Sequence, residues 1–163
     1  VDVPRLVPAG LVMDRIRFML DNDENEIETY ITNFRVAATT PDLRGKLVTE
    51  GKLVVRGITF DTGSDSIKPE SYGTMRQIGA ILKEMPDLRV RIVGHTDSDG
   101  DAKTNLALSK RRAVAVKTML ASEFGIESGR MDTDGKGASE PVVPNTSSEG
   151  KAMNRRVEFV KVP

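Results

Sequence analysis

The segment GHTDSDGDAKTN, at positions 94 to 105, places three aspartates at alternate positions from Asp97 to Asp101. Carboxylates at this spacing are typical of a calcium loop, but an EF-hand loop also needs a glycine at its sixth position and a glutamate at its twelfth. Counted from Asp97, those positions hold Ala102 and Leu108, so the ligand that closes such a loop is missing. The intervening residues are typical of a turn, with Asp101 placed to cap the helix that follows.

A second possibility is acid–base chemistry. His95 is the only histidine of the chain and ends a predicted strand beside Asp97, while Asp61 follows another predicted strand. Because α/β sheets place ligand sites where strands end, these side chains could face one cleft. A metal-dependent hydrolase could use Asp61, His95 and Asp97, although the chain has no G-x-S-x-G or H-E-x-x-H motif. The other interpretation of His95 is a strand-end residue held by local hydrogen bonds.

A third possibility is charge complementarity between Asp97 and Arg112. Arg112 lies fifteen residues beyond Asp97, inside the next predicted helix, and Asn105 lies between them near the helix start. A carboxylate and a guanidinium at the rim of one cleft could hold the ammonium and carboxylate groups of a zwitterionic amino acid. Free N–H groups at the helix start would also favour an anion. The alternative interpretation is a structural Asp–Arg pair.

The elements that would position these residues follow one another regularly. Strands are predicted at 53–60 and 88–95, and a helix over 68–86 begins with Pro69 in its first turn. A longer helix over 102–124 presents an apolar face and stops at Gly125. That face is formed by Leu106, Ala113, Val116, Leu120 and Phe124.

The remainder of the chain completes a β-α-β-α-β-(α)-β order. A short strand or turn is predicted at 131–137, one or two helical turns at 149–156, and an alternating strand at 157–162. This order predicts a two-layer α/β sandwich, in which helices pack on one face of a mixed sheet.

Residues 1–46 form a separate N-terminal segment in this interpretation, and residues 47–163 form the domain. The β-branched and aromatic residues before position 40 favour a β-hairpin, followed by a linker with one short helical turn; a helix over 9–21 is the alternative. The chain begins with Val1 rather than Met. We therefore expect a processed product, and the hairpin would be the remnant of an upstream β-domain.

Composition excludes several classes of function. Lys and Arg together number 24, as do Asp and Glu, so the chain lacks the excess positive charge that usually accompanies nucleic-acid binding. It has no cysteine, which excludes disulfides, cysteine-ligated zinc and a thiol nucleophile. No apolar run is long enough for a membrane-spanning helix.

Three separated segments carry a resemblance to a known family. GHTDSDGDAKTNLALSKRRAVAVKTML contains G-H-T-D, a glycine-containing loop, N-x-x-L-S and then R-A within a helix. ITFDTGSDSIKPES precedes it, and GKGASEPVVPNTSSEGKAMNRRVEF follows it. Together these segments resemble OmpA-like peptidoglycan-binding domains in motif order and spacing. The resemblance covers roughly Leu53 to Val162, about two-thirds of the chain.

The resemblance implies a non-enzymatic periplasmic domain that binds the meso-diaminopimelate of the peptidoglycan stem peptide without a covalent bond, metal or cofactor. Such a domain would tether an outer-membrane-associated protein to the cell wall, with the membrane association provided by a region outside this chain. In the family's motifs, Asp97 and Arg112 match the positions that hold the diaminopimelate amino and carboxylate groups. Further matches to pocket positions are Asn105, Leu108, Asp61, Thr62 and Arg155.

Two residues depart from the family pattern: one adds a positive charge to the region, and the other leaves its charge unchanged. Arg111 stands where the family often has a small residue, and Lys151 stands where it often has arginine. The alternative function is a metal-dependent cell-wall hydrolase that uses Asp61, His95 and Asp97.

A single peptidoglycan-binding site that relies on a few charge-assisted bonds gives modest affinity, which many sites on a polymeric wall would raise.

Overall fold

The computed structural model describes residues 43–162, and the predicted N-terminal hairpin lies outside them. The first described element is helix α1, Leu43–Thr49. It runs through Gly45, so the expectation of one short helical turn is wrong: the helix has two turns and ends before Gly51, whose φ is +68°. Leu47 is 1% exposed and joins the hydrophobic core, which explains why the helix persists past Gly45.

In the described part of the chain, four strands form one mixed sheet in the order β1-β4-β2-β3. Strand β4 is antiparallel to both of its neighbours, whereas β2 and β3 are parallel. The strands are β1, Lys52–Val55; β2, Arg89–His95; β3, Met131–Gly137; and β4, Val157–Val162. The predicted α/β sandwich with a mixed sheet is therefore confirmed for the described residues.

Strand β1 is shorter than the sequence pattern indicates. The apolar run predicts a strand over 53–60, but β1 ends at Val55, which pairs with Val157 at the start of β4. Beyond this pair β1 has no ladder partner, because the residues preceding Val157 belong to the turn that leaves the last helix. The chain therefore departs from the sheet, and only an isolated bridge between Phe60 and Ile67 closes the following loop.

The helices agree with the predicted order. A 3-10 turn at Pro69–Ser71 leads into α2, Tyr72–Glu84, so Pro69 takes the predicted first-turn position. Helix α3 is Ala102–Ser122 and α4 is Ser148–Asn154. Gly125 follows α3 with a φ of +65°, a conformation that glycine adopts without steric cost.

One face of the sheet packs against α2 and α3. In β4, Val157 and Phe159 belong to the core, while Glu158 between them does not, as expected for alternating side chains in a strand. The predicted face of α3 needs one correction. Leu106 is 40% exposed, whereas Leu108 is 8% exposed, because the buried stripe of α3 runs through positions 105, 108, 109, 112, 113, 116 and 120.

Close contact between α3 and the sheet depends on Gly94, near the end of β2. A Cβ atom at this position would collide with the backbone oxygen of Ser109. Only glycine permits this approach. The result is that the first half of α3 lies directly over the end of β2, where the loop with Asp97 begins.

Candidate functional site

Asp97 lies in the loop that connects β2 to α3 and is 9% exposed. Its Oδ1 atom accepts a hydrogen bond from the backbone N–H of Asp99 at 3.0 Å, so the carboxylate closes its own turn. Its Oδ2 atom accepts a hydrogen bond from Arg155 Nη1 at 2.6 Å. Arg155 follows α4 directly, and the pair therefore connects the β2–α3 loop to the α4–β4 turn.

Arg112 lies on the buried stripe of α3 and is 9% exposed. Its Nε donates to the carbonyl oxygen of Ser64 at 2.9 Å, and its Nη2 donates to the carbonyl oxygen of Asp61 at 3.2 Å. Its guanidinium carbon lies 4.7 Å from the centre of the Phe60 ring, a cation–π contact. Arg112 thus fastens the loop after β1 to α3.

The charges of Arg112 and Asp97 influence each other without a direct bond. Burial lowers the pKa of Arg112, and the negative charge of Asp97 opposes that shift. Among the described residues, no hydrogen bond or ion pair joins the two side chains. The Asp–Arg pair considered as a structural alternative therefore exists, but its arginine is Arg155.

Asn105 fixes the shape of the loop that carries Asp97. It is 7% exposed, and its Nδ2 donates to the carbonyl oxygen of Asp99 at 2.8 Å. Asp101 is the N-cap of α3 and accepts from the backbone N–H of Thr104, which confirms the predicted cap. This bond lowers the pKa of Asp101. Lys151 of α4 holds the outer side of the loop through an ion pair with Asp99 at 2.8 Å.

The remaining predicted site residues occupy different environments. Leu108 is buried on the stripe of α3, where it packs rather than offering a polar group. Asp61 and Thr62 are exposed in the loop after β1. The backbone carbonyl oxygen of Asp61 accepts the bond from Arg112, so the side-chain carboxylate of Asp61 remains available for other contacts. The structure thus brings Asp97, Asn105 and Arg155 together, and it places Asp61 beside Arg112.

A cavity of about 330 Å³ opens between the segment after β1 and the start of β4. Arg112 and Arg155 both contribute to its wall, and Ile58, Phe60 and Val157 supply its apolar part. Sequence reasoning missed Phe60 and the basic residues Arg56 and Lys68 that also line it. Arg56 and Phe60 lie inside the predicted strand over 53–60, and Lys68 begins the predicted helix over 68–86, so neither local pattern marked them as residues of a cavity.

His95 lies beneath this cavity and is 2% exposed. Its backbone N–H bonds the carbonyl oxygen of Arg156, but both ring nitrogens lack a hydrogen-bond partner. Its Nε2 lies 3.6 Å from Glu158 Oε2, which is too long for a hydrogen bond. The interpretation of His95 as held by local hydrogen bonds is therefore correct for its backbone and wrong for its ring.

A buried charge network surrounds His95. Glu158 accepts from Arg156 Nε at 2.8 Å and pairs with Lys52 Nζ at 2.7 Å. Burial would raise the pKa of Glu158, but these two partners outweigh it and lower the pKa. Burial, assisted by the charge of Arg156, lowers the pKa of His95. Glu158 is therefore a carboxylate and His95 a neutral imidazole near neutral pH.

The predicted hydrolase residues do not assemble into a metal site. Within residues 43–162, no group of three or more His, Cys, Asp or Glu side chains is arranged to hold a metal ion. His95 faces Glu158, and Asp97 faces Arg155, so neither pairs with Asp61.

The helices of this part of the chain include none that is both long and apolar enough to cross a membrane.

Known proteins similar to this chain share the same region. A model described as the OmpA family matches residues 59–155. Outer membrane porin F of Pseudomonas aeruginosa is 39% identical over 123 residues, which are 75% of this chain and 35% of the porin. The chain spans about half or less of the length of the curated relatives that it matches.

Two solved structures extend the similarity to the fold. The cell wall anchor of the T6SS from P. aeruginosa has a TM-score of 0.60 and 32% identity, covering 69% of this chain and 81% of that one. The peptidoglycan-associated lipoprotein from Burkholderia pseudomallei has a TM-score of 0.59 and 31% identity, covering 64% and 88%. The matched region includes the loop of Asp97, helix α3 and Arg155, and this chain belongs to the OmpA family.

Proposed function

We propose that this chain binds peptidoglycan non-covalently, through the meso-diaminopimelate of the stem peptide, and so tethers a cell-envelope protein to the cell wall. The observation that carries the proposal is that a buried carboxylate and a buried guanidinium influence each other near one end of the sheet without being bonded to each other. Asp97 and Arg112 are each 9% exposed. Buried charges of opposite sign beside an open cavity suit a ligand that carries both charges itself.

The side chain of diaminopimelate ends in an ammonium and a carboxylate on one carbon. Asp97 would accept a hydrogen bond from the ammonium, since a carboxylate has about four acceptor positions and its bonds to Asp99 and Arg155 use two. Arg112 would donate to the carboxylate through Nη1, because its bonds to the carbonyl oxygens of Ser64 and Asp61 use Nε and Nη2. Asn105 would act indirectly, by holding the loop of Asp97 in shape.

Arg155 would change partners when the ligand arrives. It is bonded to Asp97 and also lines the cavity, and its side chain is 49% exposed. An ammonium at Asp97 would weaken the existing pair, and Arg155 could then donate to the carboxylate of the same ligand. A zwitterion would thereby satisfy both charges, which an isolated amine or acid would not.

The names of similar proteins support a role at the cell wall. The solved structures described above are of a cell wall anchor and a peptidoglycan-associated lipoprotein, and the curated relative is an outer membrane protein. We accordingly propose a periplasmic location and outer-membrane association through a region outside this chain. The role is binding without catalysis, and it requires neither a metal nor a cofactor.

Sedimentation with purified peptidoglycan tests this function. We expect the full 163-residue chain to sediment with sacculi and to be released by free meso-diaminopimelate. Nα-acetyl-lysinamide is the matched control ligand, because it keeps a side-chain ammonium but has no carboxylate, and it should release much less protein. A chain that stays in the supernatant, or that Nα-acetyl-lysinamide and diaminopimelate release equally, would contradict recognition of the zwitterion.

A further inference from the structure

The cavity beside Asp97 and Arg112 is strongly basic. Among residues 43–162, five arginine or lysine residues and one histidine line it, and none of its lining residues is an aspartate or glutamate. The basic residues are Arg56, Lys68, His95, Arg112, Arg155 and Arg156. Like charges around a concave, partly enclosed volume repel one another and focus a positive potential into it. Such a volume favours an anion.

Three of the cations keep an unneutralised charge. Each of the three guanidinium nitrogens of Arg156 donates to a protein acceptor, one of which is Glu158, and Arg155 is paired with Asp97. Arg112 bonds only to uncharged backbone carbonyl groups. Within the described chain, the side chains of Arg56 and Lys68 have neither a hydrogen bond nor an ion pair. The zwitterion assigned to Asp97 and Arg112 would leave these last two without an anion.

His95 gives an independent indication that the cavity takes a polar ligand. It lines the cavity, is 2% exposed, and has two ring nitrogens without hydrogen-bond partners. Buried polar groups in native proteins nearly always have a partner, because an unsatisfied one costs free energy. A polar group or a water molecule carried in with a ligand would supply one.

We propose that Arg56 and Lys68 form a second subsite, which binds a carboxylate of the stem peptide other than the one in the diaminopimelate zwitterion. This inference rests on the proposed function and extends it from one residue of the peptide to two. Lys68 is positioned by its backbone N–H, which donates to the carbonyl oxygen of Thr59. Arg56 directly follows the last residue of β1. Both therefore lie on segments anchored to the same wall of the cavity.

Two groups of the stem peptide could supply this carboxylate. One is the α-carboxylate of the γ-linked glutamate before diaminopimelate, and the other is the carboxylate at the carboxyl end of the peptide. Both share the chemistry that a guanidinium and an ammonium recognise. Amidation of the relevant group would remove the negative charge at almost constant size, so the subsite would discriminate between free and amidated peptides.

Calorimetric titration of the full chain can test the subsite. The ligands are free meso-diaminopimelate and the tetrapeptide L-Ala-γ-D-Glu-meso-diaminopimelate-D-Ala, together with its two forms amidated at one carboxylate each. The variant R56Q/K68Q should bind the tetrapeptide about tenfold more weakly than wild type. It should bind free meso-diaminopimelate within about twofold of wild type. One amidated peptide should show the same loss with the wild-type chain, which identifies the carboxylate.

The matched control is R91Q/K83Q, which removes the same charge at exposed positions outside the cavity. It should leave both affinities unchanged apart from a small effect at low salt. If R56Q/K68Q binds the tetrapeptide as tightly as wild type while diaminopimelate still binds, the second subsite is wrong and the proposed function stands. Loss of affinity for both ligands in R56Q/K68Q would overturn a separate subsite. If wild type binds neither ligand, the proposed function fails as well.

Discussion

The carboxylate of Asp97 is bonded to Arg155, at 2.6 Å, and not to Arg112. These two residues lie 58 positions apart in the chain, on the loop after β2 and the turn before β4. The pairing means that Asp97 is already neutralised before a ligand arrives. Under the proposed function, binding of an ammonium at this carboxylate would be an exchange of partners, and the net gain in free energy would be the difference between two charge-assisted hydrogen bonds.

Substitution of Asp97 separates binding from folding. D97N keeps an oxygen that can accept the backbone N–H of Asp99 but removes the negative charge. We expect sedimentation with sacculi to weaken at least about tenfold. Stability should change by only about 1 kcal/mol, because Arg155 is half-exposed and solvent screens the pair. D99N, in the same loop, is the control and should bind as wild type does; equal losses in both variants would argue against Asp97 as the ligand group.

Arg112 has a structural role and a proposed binding role, and a lysine substitution tests both. R112K keeps the charge but cannot make the two bonds to the carbonyl oxygens of Ser64 and Asp61. We expect weaker binding to sacculi and a loss of about 1–3 kcal/mol in the free energy of unfolding, measured by urea denaturation. R111K is the neighbouring control, since Arg111 is exposed and only weakly paired with Asp65 at 3.6 Å. Unaltered binding by folded R112K would exclude a guanidinium-specific contact.

Gly94 tests the close packing of α3 on the sheet. In G94A the new methyl group would meet the backbone oxygen of Ser109, and a backbone contact cannot move aside as a side chain can. We expect the variant to lose about 2 kcal/mol or more of unfolding free energy. The control is G73A in α2, where nothing lies within 4 Å of the added atom; it should be neutral or stabilising by up to about 1 kcal/mol. Urea midpoints of equal size in the two variants would contradict this packing.

His95 should make stability depend on pH. Its pKa is lowered in the folded state from 6.5, so the unfolded chain binds a proton more readily. The free energy of unfolding is therefore not reduced by His95 above pH 6.5. It falls as the pH drops from 6.5 toward the pKa of His95 in the folded state, by at most about 1.4 kcal/mol per pH unit. Glu158 has a lowered pKa and stays ionised in this range, and the charges of Arg156, Glu140 and Lys52 also act on the ring.

Urea midpoints at pH 7.5, 6.5 and 5.5 measure this dependence. Because His95 is the only histidine, H95N should remove most of the slope between these values, whatever its effect on overall stability. An identical slope in wild type and H95N would assign the dependence to other groups. The same titration would also show whether a ligand that supplies a partner to the ring makes the slope smaller.

The order of elements could be predicted because it depends on local patterns. The 3/4 spacing in α2 and α3, the cap at Asp101 and the positive φ of Gly125 each act within a few residues. The end of β1 could not be predicted in this way. The apolar run continues past Val55, and the strand stops because its partner β4 begins at Val157, about a hundred residues away.

The same distinction between local patterns and tertiary packing applies to the residues of the candidate site. The sequence by itself determined that Asp97 lies in the loop after β2, that Asn105 and Arg112 lie on the helix that follows, and that Asp101 caps this helix. Only the tertiary structure decided that Asp97 bonds Arg155, that Arg112 bonds carbonyl groups of the loop after β1, and that a basic cavity opens where β1 leaves the sheet. The physical reason is that a hydrogen bond depends on distance and direction within about 3 Å, and tertiary packing brings together groups that the chain itself separates by 48 to 58 positions.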